Sequence, residues 1–288
     1  DHLRVDDQFT VHATLRDQTV KHGRRFATWV LQSGEIRYYN QTGQLVALAE
    51  GRCARTPRVT HNEKATKTQH QRQTETKAHY YAPEELAEIE QAVLGEQRQG
   101  EAPLYWEDID IGLEIAPVVK GPLSVIDIVA WYSATQGALH YGGAHGDALR
   151  YRQRHADYHL NAATGAKDAA GRGHLEASTG HDVGMGGAYD VGPQRIAWAQ
   201  HMLCNWIGDH GFLHELDVAV RRPNLVGDTL WWRGTVSDKA IRGDAHLVHL
   251  TVEARNQVDV VSASGTAVVA LPSREHGPVP LPLAEANA

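Results

Sequence analysis

Residues 137–155 read GALHYGGAHGDALRYRQRH, and in them His140, His145, His155 and Asp147 stand among Gly142, Gly143 and Gly146. Imidazole changes charge near neutrality, so a histidine beside another acid or base can pass a proton in either direction. Glycine lets the backbone turn tightly and approach a bound molecule closely. The same residue types also suit a metal site, or a solvated loop with no chemistry. Further on, His155 and His159 are spaced i, i+4, which puts both rings on one face if the segment is helical. His174, His181 and Asp182 follow as possible donors. They have no fixed ligand spacing, no glutamate of an HExxH pattern and no cysteine among them, so no metal is expected.

Such groups act only if the chain holds them. Just upstream, Ser124 and Asp127 have the form of a capping box, and Ile128, Trp131 and Tyr132 continue as a helix. Residues 147–160 read as a basic helix and 161–192, rich in Gly, Ala and His, as an extended loop. Then Ile196, Ala199, Met202, Leu203 and Trp206 recur at helical spacing, from Pro193 to Trp206. Around these helices the pattern is β. Alternation from residue 2 to 11, then 24–32 with 35–39, then 44–49 predicts three long antiparallel strands in a bent meander. A short strand is expected at 115–119, and four more at 212–220, 229–236, 246–254 and 258–271. Residues 56–78 are polar with almost no large apolar side chain and read as an exposed linker. Pro83, Glu84 and Glu85 open a helix through Leu86, Ile89 and Val93.

Composition narrows the function. A formal charge of −7 over 288 residues, with basic residues scattered, argues against nucleic-acid binding. No apolar run approaches the roughly 18 residues of a membrane span, and no membrane partner is expected. Cys53 and Cys204 form no CxxC pair, which favours a reducing, cytoplasmic setting. There is also an internal repeat. DHLRVDDQFTV at the start is similar to GDTLWWRGTV at 227–236, and EIRYYNQTGQLVALAEGRCARTPR to EARNQVDVVSASGTAVVALPSR. The second set is preceded by a strand and helices, whereas the first opens the chain. The expectation is that residues precede Asp1 or that another chain supplies them.

YWEDIDIGLEI, a capped helix, a long helix and then VRRPNLVGDTLWWRGTV resemble the MaoC-like acyl dehydratase and (R)-specific enoyl-CoA hydratase family. The double-hotdog members, whose N-terminal half is of the fatty-acid-synthase dehydratase type, are the most similar. The resemblance covers residues 1–55 and 104–274, and RRPNLVGDTL is its most specific part. It implies an α+β double hotdog, a long antiparallel sheet wrapped round a central helix, with the first hotdog incomplete at its N-terminus. The corresponding domains are 1–58 (strands of the first hotdog), 59–103 (linker and helix), 104–274 (second hotdog with a 138–192 insertion) and 275–288 (tail).

The activity implied is hydration of a 2-enoyl-CoA, or dehydration of a 3-hydroxyacyl-CoA. No cofactor is expected, coenzyme A being part of the substrate. The family's acid/base motif has the form GD-x-NP-hydrophobic-H-x-D. His145 and Asp147 match its H-x-D, and His140 stands where the family has its catalytic Asp. The implied catalytic set is therefore His145, His140 and Asp147. Tyr141, Gly142, Gly143 and Gly192 are implied at the thioester, and Arg150, Arg195 and Arg221 at the substrate. Arg152, Arg154 and Arg222 are further partners for the phosphates of coenzyme A. The 161–192 stretch would cover the acyl pocket. Assembly into homo- or hetero-oligomers through the hotdog sheets is expected. Two alternatives stand beside this reading: a non-catalytic acyl-CoA-binding subunit of a heteromeric hydratase, and an acyl-CoA thioesterase.

Overall fold

The computed structural model describes residues 3–22, 28–55, 79–135, 146–154, 159–160, 164–168, 170–182, 185–281 and 283. The chain divides into two compact units, one of residues 1–69 with 280–288 and one of residues 70–279.

In the smaller unit β1 (Thr10–Lys21), β2 (Trp29–Tyr39) and β3 (Leu45–Arg55) form an antiparallel meander in chain order. The alternation from residue 2 predicts a strand that the structure replaces with a turn. Asp6 sits at φ 71°, outside the β region. The amide of Asp7 donates to the Arg4 carbonyl at 3.2 Å, and the Asp7 carboxylate accepts from the Arg4 amide at 2.7 Å. The strand therefore starts only at Thr10. The β2–β3 turn follows the sequence reading. Asn40 Oδ1 accepts from the amides of Thr42 and Gln44, and Gly43 takes φ 80°. The polar stretch 56–78 lies outside the described residues.

The larger unit opens with α1 (Pro83–Leu94), which has Pro at its first position and buries Ile89. β4 (Glu114–Lys120) leads to α2 (Val125–Thr135). The expected capping box is formed: Asp127 Oδ2 accepts from the Ser124 amide at 2.7 Å, and Ser124 Oγ accepts from the Asp127 amide at 3.3 Å. The basic helix is shorter than its pattern suggests, with α3 spanning Gly146–Arg154. Gly165, at φ 67°, then folds the chain back so that β5 (His159–Leu160) pairs with β6 (Lys167–Asp168). His159 is thus in a strand rather than a helix, and His155 lies outside the described residues. The 161–192 stretch is not extended throughout: it holds a 3-10 turn at Ala170–His174 and the short helix α4 (Ala177–Asp182).

After α5 (Gly192–Ile207) come β7 (Phe212–Val220), β8 (Leu230–Arg242), β9 (Ala245–Asn256) and β10 (Val261–Leu271). With β4 they make one antiparallel sheet in the order β4-β8-β9-β10-β7. Alternate residues of these strands face one side, as period-2 patterning requires. Trp232 and Val236, Leu250 and Val252, and Ala267 and Val269 pack there with Ala199, Met202, Leu203 and Ile207 of α5. This sheet against one long helix is the α+β hotdog arrangement. The buried face of α5 is rotated from the predicted one: Arg195 and Ile207 belong to it, whereas Ile196 is exposed. At Gly234 a Cβ would stand 2.9 Å from Ile115 Cδ1 and 3.3 Å from Met202 Cε, so those side chains would have to shift.

Candidate active site

A helix leaves its first backbone N–H groups without partners inside the helix, and they present partial positive charge. At α5 this end is held by a polar lock. Asp190 stands just before the N-cap residue Val191 and is 2% exposed. Its carboxylate accepts from Arg195 Nε at 2.7 Å, from Arg195 Nη2, and from the amide and Nδ2 of Asn224 at 3.1 and 2.9 Å. Arg195 Nη1 donates to the carbonyls of Arg222 and Ser262. Residues 188–190 also run antiparallel to 224–226 through Asp190 N to Asn224 O and Val226 N to Ala188 O, each 2.9 Å. The RRPNLVGD segment is thereby fastened to the start of α5. Its last residue, Asp228, closes a turn by accepting from the Leu225 amide at 2.8 Å, with Gly227 at φ 97°.

A buried ion pair costs desolvation that only good geometry and further hydrogen bonds offset. Here those bonds are made, so the pair fixes a position rather than supplying a reactive charge. The structure therefore puts Arg195 to another use than the one expected: its side chain is 1% exposed and turned inward, away from any phosphate. Gly192 is the first residue of α5, one position before the predicted start at Pro193. A Cβ added there would meet nothing closer than Val220 Cγ2 at 4.0 Å. Packing within the chain leaves this point open, whereas a Cβ at Gly234 would press on Ile115.

Helix α2 leans on the same end of α5. Gln194 Nε2 donates to the Asp127 carbonyl at 3.2 Å, and Leu123, Ile128, Tyr132 and Val191 form a separate small core. His174 packs beside it, with ring contacts to Tyr189 at 4.1 Å and Tyr132 at 6.1 Å. Its Nδ1 lies 2.9 and 3.1 Å from the carbonyls of Tyr189 and Asp190. Carbonyls only accept, so Nδ1 carries the hydrogen and Nε2 keeps the lone pair. Burial holds the His174 pKa below the ordinary histidine value, which favours the neutral ring. His181 Nε2 bonds the Gly186 carbonyl at 3.0 Å. Of the histidines weighed as metal donors, His174 and His181 are thus engaged with backbone. Among the described residues no three His, Cys, Asp or Glu side chains converge as a metal site would need.

The remaining sequence candidates are placed as follows. His140, Tyr141, Gly142, Gly143 and His145 lie outside the described residues. They follow α2, whose last residue is Thr135, and precede α3. Asp147 is the second residue of α3, and Arg150 is on the same helix and exposed. Arg221 and Arg222 are exposed and flank the lock, their amides bonding the Ser262 carbonyl at 2.8 and 3.1 Å. Sequence reasoning missed Asp190 and Asn224. The available signal was an acid two residues before the Gly-Pro that starts a helix, with an arginine one turn inside it.

No protein-family model and no curated protein sequence matches this chain. Solved structures do. A MaoC-like dehydratase superposes with a TM-score of 0.56 at 14% identity, covering 92% of this chain and 70% of that one. The chain has the fold of that MaoC-like dehydratase. The (R)-hydratase from A. caviae involved in PHA biosynthesis has a TM-score of 0.40 at 17% identity, covering 58% of this chain and 99% of that one. The ChsH1-ChsH2 complex from Mycobacterium tuberculosis contains a chain with a TM-score of 0.40 at 13% identity, covering 56% of this chain and 98% of that one. Among the described residues no helix is long and apolar enough to cross a membrane.

Proposed function

We propose that this chain is a MaoC-type hydro-lyase that adds water to a 2-enoyl-CoA, or removes it from a 3-hydroxyacyl-CoA, by histidine-based acid/base chemistry. The observation that carries the reading is Gly192. It opens the central helix of a fold shared with a MaoC-like dehydratase, at a point where the chain's own packing leaves space for a side chain. Helix N–H groups there would donate to the thioester oxygen, where enolate charge develops during the reaction. His145 would take the proton of water as its oxygen bonds to C3, and a proton would be delivered to C2. His140 and Asp147 would orient that imidazole, with Tyr141, Gly142 and Gly143 lining the approach. Arg150 and Arg221, both exposed, would meet the phosphates of coenzyme A. This scheme needs no metal and no redox group. The double-hotdog and oligomeric arrangement belongs to the same reading. Its support is the structural repeat of β1–β3 in β8–β10, described in the Discussion.

The test is hydration of crotonyl-CoA, followed by loss of the enoyl thioester absorbance. The full chain is expected to turn over, and His145→Ala to lose about 100-fold or more in kcat. Gly192→Ala is expected to leave thermal stability unchanged and to cut kcat/KM roughly tenfold. Thiol release without hydration would make the chain a thioesterase. Binding of crotonyl-CoA with neither reaction would make it a non-catalytic subunit. Either result would overturn the reading.

A further inference from the structure

The smaller unit carries a feature that the hydratase reading leaves unused. One face of the β1–β2 hairpin forms a groove of about 600 Å³, lined by Thr10, His12, Thr14, Arg16, Glu35 and Arg37, with Tyr39 and the β2–β3 turn at one end. The pairing of His12 with Arg37 and Thr14 with Glu35 puts these side chains on one face. Alternation puts Arg16 on the same face, and the register shift between Leu15 and Asp17 makes it the extra residue of a bulge. Glu35 is covered by both arginines: Arg16 Nη2 donates to it at 2.5 Å, and Arg37 Nε donates to the same oxygen. Glu35 keeps only 8% of its side chain exposed, while Arg16 keeps 52% and Arg37 41%.

One carboxylate therefore faces two guanidiniums, and the lining is left with one net positive charge on a chain of net charge −7. The acidic Asp17 and Glu50 of the same sheet are not part of the lining. Each guanidinium has five N–H donors. Among the described residues Arg16 spends one of them, on Glu35. Glu35 fixes the two planes, which is the costly part of building an oxyanion site from flexible side chains. The second meander does not repeat the arrangement, because Ser237 and Thr251 occupy the places of Arg16 and Glu35.

We infer that this groove is a binding site for a phosphate-bearing small molecule, held by Arg16 and Arg37 with the Thr10 and Thr14 hydroxyls. The phosphate can come from a free inorganic ion or from a nucleotide-containing ligand. The inference does not depend on the hydratase reading, and its test involves no turnover.

The experiment is calorimetric titration of the full chain with inorganic pyrophosphate and, separately, with coenzyme A, at low and high salt. Saturable one-site binding that weakens with salt is expected. Arg16→Gln is expected to weaken it roughly tenfold. Glu35→Gln removes the competing carboxylate and is expected to strengthen binding severalfold. Loss of structure would weaken binding in both variants, so the opposite signs separate binding from folding. Binding of pyrophosphate alone would support the site and assign it to free phosphates; coenzyme A binding that Arg16→Gln also weakens would extend it to nucleotide ligands. No saturable heat with either ligand would overturn it, as would affinities that neither substitution moves.

Discussion

The strands β1–β3 and β8–β10 are built on the same local plan. Each begins at a turn closed by an aspartate. Asp7 accepts from the Arg4 amide at 2.7 Å and Asp228 from the Leu225 amide at 2.8 Å, with the preceding residues Asp6 and Gly227 at positive φ. Each first strand carries a bulge at an equivalent place, at Arg16 and at Ser237. Each second hairpin turns on an asparagine. Asn40 Oδ1 accepts from Thr42 and Gln44, and Asn256 Oδ1 from Val258 and Val260, with Gly43 and Asp259 at positive φ. The sequence repeat is therefore real as geometry, but its first segment is shifted. Val5-Asp6-Asp7 matches Val226-Gly227-Asp228, rather than the first residues of the chain matching Gly227 onward.

What differs is packing. The β8–β10 meander buries one face against α5, with Trp232 and Val248 fully covered, whereas β1 is exposed along almost its whole length. Among the described residues the smaller unit has no helix. Turn chemistry is thus local and repeats without a core, and the energy of burial is not local and does not.

The largest expected effect tests the charged groups of the two regions. Asp190→Ala leaves Arg195 buried without its carboxylate and is expected to cost about 3–5 kcal/mol in urea unfolding of the larger unit. Restoring balance with Arg195→Met in the same chain should recover much of that loss. Glu35→Ala, between two partly exposed arginines, should cost far less. Equal losses at the two sites would mean that burial is not what separates them.

Matched leucines give the next comparison. Leu250 on β9 is fully buried and Leu15 on β1 is 54% exposed. Leu250→Ala is expected to cost about 2–5 kcal/mol, by lost transfer energy and a cavity. Leu15→Ala should stay within about 0.5 kcal/mol, as surface changes do. The two asparagine turns should behave alike: Asn40→Ala and Asn256→Ala each remove two hydrogen bonds to backbone amides. A loss of about 1–2 kcal/mol at each is expected, read from the unfolding of its own unit. A large loss at Asn256 with none at Asn40 would show that the core, rather than the turn, sets the cost.

These contrasts also explain what the sequence could reveal. The capping box of α2, the proline start of α1 and the β2–β3 turn depend on residues within a few positions of one another, so they were legible. The strands around α5 were legible because a half-buried strand has period 2. Strand patterning alone did not locate the start of β1, because Asp6 breaks a plausible alternation through its backbone conformation. The candidate site was legible only in part. Gly192 and the RRPNLVGD segment came from the family resemblance, and the Asp190–Arg195–Asn224 lock joins chain segments that only the fold brings together. The buried direction of Arg195 had one local hint, Asp190 five residues before it, and its bonds to the Arg222 and Ser262 carbonyls had none.

The smallest effect concerns two glutamates that reach one end point by different means. Glu35 is lowered from 4.5 to about 2, chiefly by the Arg37 and then the Arg16 hydrogen bond. Glu107 is lowered from 4.5 to about 2, chiefly by the Ser273 hydroxyl at 2.5 Å, with the Arg274 amide adding to it at 3.2 Å. In both, the folded carboxyl binds fewer protons than the unfolded one between about pH 2 and 4.5. Stability from each is therefore present above the upper value and lost as pH falls through the window. The partners of Glu35 are charged, so salt should screen them. The chief donors to Glu107 are a neutral hydroxyl and a backbone amide, which salt hardly touches. Carboxyl-carbon NMR titrations at low and at high salt are expected to move the Glu35 midpoint upward while the Glu107 midpoint stays in place. If both midpoints rose together, Glu107 would owe its shift to the nearby charges of His246 and Arg274, and the contrast between the two carboxylates would be lost.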